Sequence, residues 1–455
     1  MRYELGLMDM YPIEASGSVV ENDPMFKAVL KEDVDPVKLE DAVYRALRFH
    51  PLFGTQVEFD GMYYLTTNNR PIRLINAKEA DRPKQFGRST NGFPWQMCWS
   101  GREITLEWCH GVTDGKGALD FLTTVLSMYC GVKYPDVPRH VDLGLGLEPF
   151  FDRKEKGIGW KEQPSGFPAD ALPLIHRGYK AECHVIKGST AQLLKTAKEN
   201  GGSPVAVLAI LLSKAIRKHL PQELRNRNVA TEVAVDLRKA FGYETQHNCV
   251  EFMKLTYQDR HDEMGFSAAV RDFKAVLDHD RIRENVVRRV TERIMEFRLI
   301  NRIPGRTPRK KAMALLAKLL KRVDCNADLT YIGRCAFPQE VLDQIEDFHF
   351  RVWPDFGGCI MAAIDFNGVF NINFSENFYE KGIAEDFVQL CREHGMDFAV
   401  TDCFEFEQGQ FIEETAKDRK NRTYGEQSET AARHPGGGMA REIPVGNLLY
   451  SNSED

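Results

Sequence analysis

One stretch, Trp108-Cys109-His110-Gly111-Val112-Thr113-Asp114-Gly115, constrains this chain more than any other, because it sets a histidine and a carboxylate at HxxxDG spacing directly behind an alternating strand. Ile104, Leu106 and Trp108 fall on one face of a period-two pattern, so His110 continues that face where the strand ends. Gly111 and Gly115 predict a sharp backbone turn. Gly117 through Leu122, with Val125 and Leu126, predict an amphipathic helix packed back onto the sheet. Strand, histidine turn and helix read as one unit. A neutral imidazole, with an ordinary pKa of about 6.5, suits proton abstraction near neutral pH, which makes His110 the candidate catalytic base. Cys109 points to the opposite face of the strand and is expected in the core rather than in a nucleophilic Cys-His pair.

A chain of 455 residues exceeds one ordinary core and predicts two or three domains. Residues 1–152 alternate helix and strand. A helix over 36–50 repeats Leu39, Val43 and Leu47 on one face, with Asp35 as its N-cap. Strands are predicted over 62–65 and 72–75, and a hairpin joins 95–99 to 104–108 through Ser100-Gly101. The Gly- and Pro-rich stretch 154–174 reads as a crossover linker, placed at 153–180. A second lobe, 181–412, opens at 189–200 and continues in a helix that Ser203 caps ahead of Pro204; its core, 205–212, is apolar nearly all round and belongs inside. Strands over 229–235 and 250–257 flank Asp236, Arg238 and Asn248, and Asn367-Gly368 predicts a type I′ turn between strands 359–366 and 369–374. Residues 413–455 turn polar and read as a flexible tail.

Bulk properties narrow the function. Ten cysteines stand singly, without a CxxC pair, as expected of reduced thiols, and no short-range Cys/His spacing signals a metal cage. The N-terminus lacks an apolar signal core, and the apolar run 205–212 falls far short of the roughly 20 residues of a membrane span, so a soluble, cytoplasmic protein is expected. A net charge of −6 gives no general reason for nucleic-acid binding. No glycine-rich nucleotide loop occurs in strand-helix context. The segment 281–322 is nevertheless strongly basic, with Arg302, Arg306, Arg309 and Lys310 among its cations. It reads either as an anion dock or as the solvated faces of helices that bury Met313, Leu315, Leu316, Leu319 and Leu320.

The HxxxDG core of His110, Asp114 and Gly115 resembles the active-site motif of the CoA-dependent acyltransferase superfamily, which includes chloramphenicol acetyltransferase, the plant BAHD enzymes, alcohol acetyltransferases and nonribosomal peptide synthetase condensation domains. Val235-Asp236-Leu237-Arg238 followed by Asn248 is similar to its VDLR region, and Asp355-Phe356-Gly357-Gly358 to its DFGWG segment without the tryptophan. Arg48-Phe49-His50-Pro51 resembles its entry segment. Cys109 stands where condensation domains usually carry a further histidine, which argues against peptide condensation.

The matches run from about residue 1 to 410. The resemblance implies an α+β fold of two lobes, each a mixed, largely antiparallel sheet covered by helices, with a channel between them. It implies a stand-alone acyltransferase with no permanently bound cofactor. An acyl group would move from a CoA or carrier-protein phosphopantetheine thioester to a hydroxyl or amine acceptor, in a ternary complex with His110 as base. In such enzymes an arginine holds the turn's aspartate. Arg238 matches it, and either Asp114 or Asp355 is its partner, with Gly115 and Gly357 shaping the two segments. Thr113, Asn248 and Ser375 are candidate oxyanion or acceptor contacts, and Arg302, Arg306, Arg309 and Lys310 candidate CoA-phosphate contacts. The alternative is a non-catalytic relative that keeps the fold as a binding protein, a reading that Cys109 and the missing tryptophan favour.

Overall fold

A computed structural model describes residues 2–6, 9, 13, 24–134, 163–167, 171–172, 180–305, 307–309, 311–312, 315, 325–354, 358–407 and 410–411. The first part of the chain runs β1 (Arg2–Glu4), β2 (Met25–Leu30), α1 (Pro36–Leu47), β3 (Thr55–Asp60), β4 (Met62–Thr67), β5 (Ile75–Asn76), β6 (Gln85–Phe86), β7 (Trp95–Ser100), β8 (Glu103–Trp108) and α2 (Gly115–Tyr129). Next come β9 (Lys180–Ser189), α3 (Thr190–Glu199), α4 (Pro204–His219), β10 (Val229–Asp236), α5 (Arg238–Phe241), β11 (Val250–Tyr257), α6 (Asp259–Glu263), α7 (Phe266–Asp280) and α8 (Arg283–Asn301). The chain closes with β12 (Ala327–Arg334), α9 (Gln339–Leu342), β13 (Ile345–Arg351), β14 (Cys359–Phe366), β15 (Val369–Glu376), α10 (Ile383–Glu393), β16 (Ala399–Glu407) and β17 (Gln410–Phe411).

Local chemistry sets several of these boundaries. Asp35 caps α1 by accepting from the Val37 and Lys38 amides, and Ser203 caps α4 by accepting from Ala206. Asn367 and Gly368 take φ of 51° and 82°, the left-handed pair that a type I′ hairpin requires. The expected strand over 72–75 shrinks to Ile75–Asn76, because the Ile72 amide donates to the Tyr44 hydroxyl at 3.2 Å instead of to a neighbouring strand. The β7–β8 turn falls at Gly101, φ 53°, and Arg102.

Two large sheets carry the molecule, and both mix helices with mostly antiparallel strands. The seven-stranded sheet runs β11-β10-β12-β14-β15-β9-β16, antiparallel except for the parallel pairs β10–β12 and β12–β14. Helix α4, whose residues 206–212 are all fully buried, lies over it with α7 and α10 alongside. The five-stranded sheet runs β13-β2-β8-β7-β5. Its edge strand β13 arrives from residues 345–351 and pairs with β2, where Phe348 and Phe350 pack on Phe26 with ring centroids 5.6 and 5.0 Å apart. Asn371 of β15 donates to the Phe348 carbonyl at 2.8 Å, so this strand also ties the two sheets together. β17 pairs in turn with β6. No helix among the described residues is long and apolar enough to cross a membrane.

Candidate active site

β8 delivers the histidine turn. Ile104, Leu106 and Trp108 are buried on one face, and Trp108 stacks on Phe26 with centroids 4.9 Å apart. Thr105 and Glu107 are buried on the other face, where Arg82 pairs with Glu107 at 3.1 Å, so the strand is sandwiched rather than half-exposed. The chain then folds back tightly, the Val112 amide donating to the Cys109 carbonyl at 3.0 Å, and Cys109 lies in the core. The glycines of the turn serve close approach rather than an unusual φ. A Cβ on Gly111 would lie 2.5 Å from the Asp9 carbonyl oxygen, and one on Gly115 2.7 Å from Ile332 Cδ1.

Asp114 organises the turn. It is completely buried and caps α2, its Oδ1 accepting from the Gly117 amide at 3.0 Å while Oδ2 accepts from the Cys249 amide at 2.8 Å. The Arg238 guanidinium forks onto the same carboxylate, Nη2 to Oδ1 and Nη1 to Oδ2, each at 2.9 Å. Its remaining N–H groups reach Asp236 Oδ1 at 3.0 Å, the Thr245 carbonyl at 2.8 Å and the His247 carbonyl at 2.8 Å. All five guanidinium donors are thus engaged, and burial, which would weaken the charge, is outweighed by the Asp114 and Asp236 carboxylates that raise its pKa. Asp355 and Gly357, the other candidates for this network, lie outside the described residues.

His110 remains partly exposed at the mouth of the turn. Burial lowers its pKa below the ordinary value, opposed in part by the Asp114 charge and by a hydrogen bond from the ring to its own backbone carbonyl. The ring's Nε2 makes no hydrogen bond among the described residues, and the tautomer follows from the partners of Nδ1. Asn248 Nδ2 lies 3.2 Å from Nδ1 and 3.4 Å from the His110 carbonyl, clamping the ring's polar side. Behind it His50 is buried, its pKa pushed down to about 3 by burial; its Nε2 lies 2.7 Å from Thr124 Oγ1 and its Nδ1 meets the Gln246 amide.

The structure revises several of the expected roles. Thr113 is buried and donates its hydroxyl proton to the Gln246 carbonyl at 2.6 Å, so that proton is not offered to a substrate oxygen. Asn248 contacts the histidine, and its Oδ1 accepts from the Val250 amide at 3.3 Å. Ser375 lies inside β15 rather than beyond it, fully buried, and forms no hydrogen bond to His110 among the described residues. Arg309 is also buried: it donates to the Gly61 carbonyl at 3.1 Å and sits over the Phe59 ring, so it is spent on packing and not on a phosphate. Arg302 is exposed at the end of α8, and Arg306 and Lys310 lie outside the described residues.

No family model matches the sequence, and no curated protein is similar to it. Solved structures are similar. Polyketide synthase associated protein 5 from Mycobacterium tuberculosis superposes with a TM-score of 0.57 at 16% identity, over 85% of this chain and 96% of that one. TRI101 of F. sporotrichioides, complexed with coenzyme A and T-2, gives 0.54 at 12% identity over 87% and 98%. The condensation domain of the Monacolin K polyketide synthase MokA gives 0.52 at 11% identity over 87% and 96%. The chain has the fold of the CoA-dependent acyltransferases and condensation domains. Within this acyltransferase fold, the partners that the sequence reading left out are Gln246, whose carbonyl holds Thr113, and the role of His50 behind it. Gln246 stands in a loop with no pattern to mark it. His50 appeared only as part of the entry segment.

Proposed function

We propose that this chain transfers an acyl group from a CoA or carrier-bound phosphopantetheine thioester to a hydroxyl or amine. The observation that carries the reading is an imidazole whose neutral form burial favours, clamped at Nδ1 by Asn248, with Nε2 unbonded among the described residues at a partly exposed position. In the proposed step the acceptor's O–H or N–H lies against His110 Nε2. The acceptor oxygen or nitrogen attacks the thioester carbonyl as its proton passes to Nε2. Collapse of the tetrahedral adduct breaks the C–S bond, and the imidazolium returns the proton to the departing thiolate. Asp114 and Arg238 act as positioning residues, since their bonds fix the start of α2 and the segment carrying Asn248 against the turn. The exposed Arg302, with the neighbouring basic segment, is the proposed contact for the donor's phosphates.

The test is product formation. Purified protein with mixed acyl-CoAs and simple alcohols and amines, followed by mass spectrometry and free-thiol release, is expected to give ester or amide at a rate that His110→Ala lowers by ~10²–10⁴. Wild-type protein that makes no more product or thiol than His110→Ala with any donor contradicts the reading. Thioester binding without turnover in that experiment supports the non-catalytic alternative.

A further inference from the structure

At the far edge of the seven-stranded sheet, a group of donor side chains takes no part in the acyl-transfer reading. Opposed residues on neighbouring strands share a face, and the register sets Glu182 and His184 of β9 between Glu376 and Phe374 of β15 and Glu405 and Cys403 of β16. His184 Nε2 lies 3.1 Å from Glu376 Oε1 and 3.4 Å from Glu182 Oε1. The Cys403 thiol donates to that same Glu182 oxygen at 3.2 Å, and the Lys381 ammonium pairs with the other. One donor atom each from Glu182, His184 and Cys403 lies within 4.8 Å of the others.

We propose that Glu182, His184 and Cys403 form a binding site for a zinc-class divalent cation, with a fourth position open to water. One imidazole, one thiol and one carboxylate make the mixed N/S/O set that suits Zn²⁺ rather than Mg²⁺ or Ca²⁺. Tetrahedral zinc with ordinary bond lengths sets its ligand atoms about 3.3–3.6 Å apart. The two separations at Glu182 Oε1, 3.4 Å to His184 and 3.2 Å to Cys403, already approach those edges.

A second observation points to a ligand. The Glu376 side chain, only 1% exposed, borders the group: its Oε1 lies 3.1 Å from His184 Nε2, and its Oε2 has no hydrogen-bond partner among the described residues. Buried polar oxygens without a donor are uncommon, and a cation held beside His184 would lie against this carboxyl group. A bound cation takes the Cys403 sulfur as thiolate, its proton passing to solvent. Cys403 is exposed on the edge strand, which gives the ion an entry path.

The test uses full-length protein stripped with EDTA and titrated with Co²⁺, then Zn²⁺. It should take up one equivalent of Co²⁺ with a thiolate-to-cobalt charge-transfer band and tetrahedral d–d absorption, both removed by Zn²⁺. Cys403→Ser abolishes the charge-transfer band and weakens Zn²⁺ binding by at least ~100-fold, and Glu376→Gln weakens it by ~10-fold. Cys130→Ser, at a partly buried thiol elsewhere, changes neither. Circular dichroism confirms that each variant is folded. His110→Ala is expected to bind metal normally, so this result is independent of the acyl-transfer reading. Folded wild-type protein that shows no charge-transfer band, or a band that survives Cys403→Ser, overturns the site.

Discussion

At the scale of single residues, the balance of forces on His110 decides what the site can do. Burial disfavours imidazolium and outweighs Asp114 and the ring's bond to its own carbonyl, so the folded pKa lies below the ordinary value of about 6.5. The base is active when neutral. Its activity is therefore full above that lowered pKa and falls as pH drops through it, which puts the acid limb of log(kcat/KM) below pH ~6.5; a limb above that value contradicts the assignment. Asp114 makes a different prediction. Removing its charge leaves Arg238 buried beside a neutral group, and Asp114→Asn should lower stability by ~3–5 kcal/mol in urea denaturation, since breaking a buried pair exposes the cost of the remaining charge. A midpoint within error of wild type contradicts that role.

The histidine turn also works as an element, because α2 begins where β8 ends and the glycines between them admit neighbouring backbone. A Cβ on Gly117 would overlap Thr113 Oγ1 and the Gln246 carbonyl. Gly117→Ala should therefore cost ~1–3 kcal/mol and lower the thermal midpoint, whereas an unshifted midpoint shows that the Gln246 loop yields. Much of this element was legible in the sequence: alternation marked β8, spacing marked α2, and Asp35, Ser203 and Asn367-Gly368 marked boundaries by their own chemistry. The purpose of the turn's glycines was not, because a steric neighbour such as Ile332 lies more than 200 residues away in the chain. The same limit governed Thr113 and Arg309, whose donors are consumed by carbonyls that no local pattern identifies.

For the whole molecule, the informative feature is how far apart in sequence the interacting parts lie. β13 completes a sheet begun by β2, and alternation over seven residues carries no record of a partner some 320 residues earlier. The proposed cation ligands come from β9 and β16, more than 200 residues apart, so they leave no short-range spacing to read. Stability should in turn depend on pH through a buried group that joins the two parts, His50, which links Thr124 of α2 to Gln246. Its folded pKa, down at about 3, is far below the unfolded value of about 6.5, so the unfolded chain takes up a proton first and stability falls as pH drops from ~6.5 toward 3. His50→Gln should flatten this slope in denaturation curves measured at pH 7, 6 and 5, and an equal slope in both proteins contradicts it. The central claim is that His110 Nε2 accepts the proton during acyl transfer. The most direct measurement compares the pH dependence of kcat/KM for thiol release with an NMR titration of ¹⁵N-labelled His110. The account predicts one shared pKa below ~6.5; thiol release that stays constant while His110 titrates would contradict it.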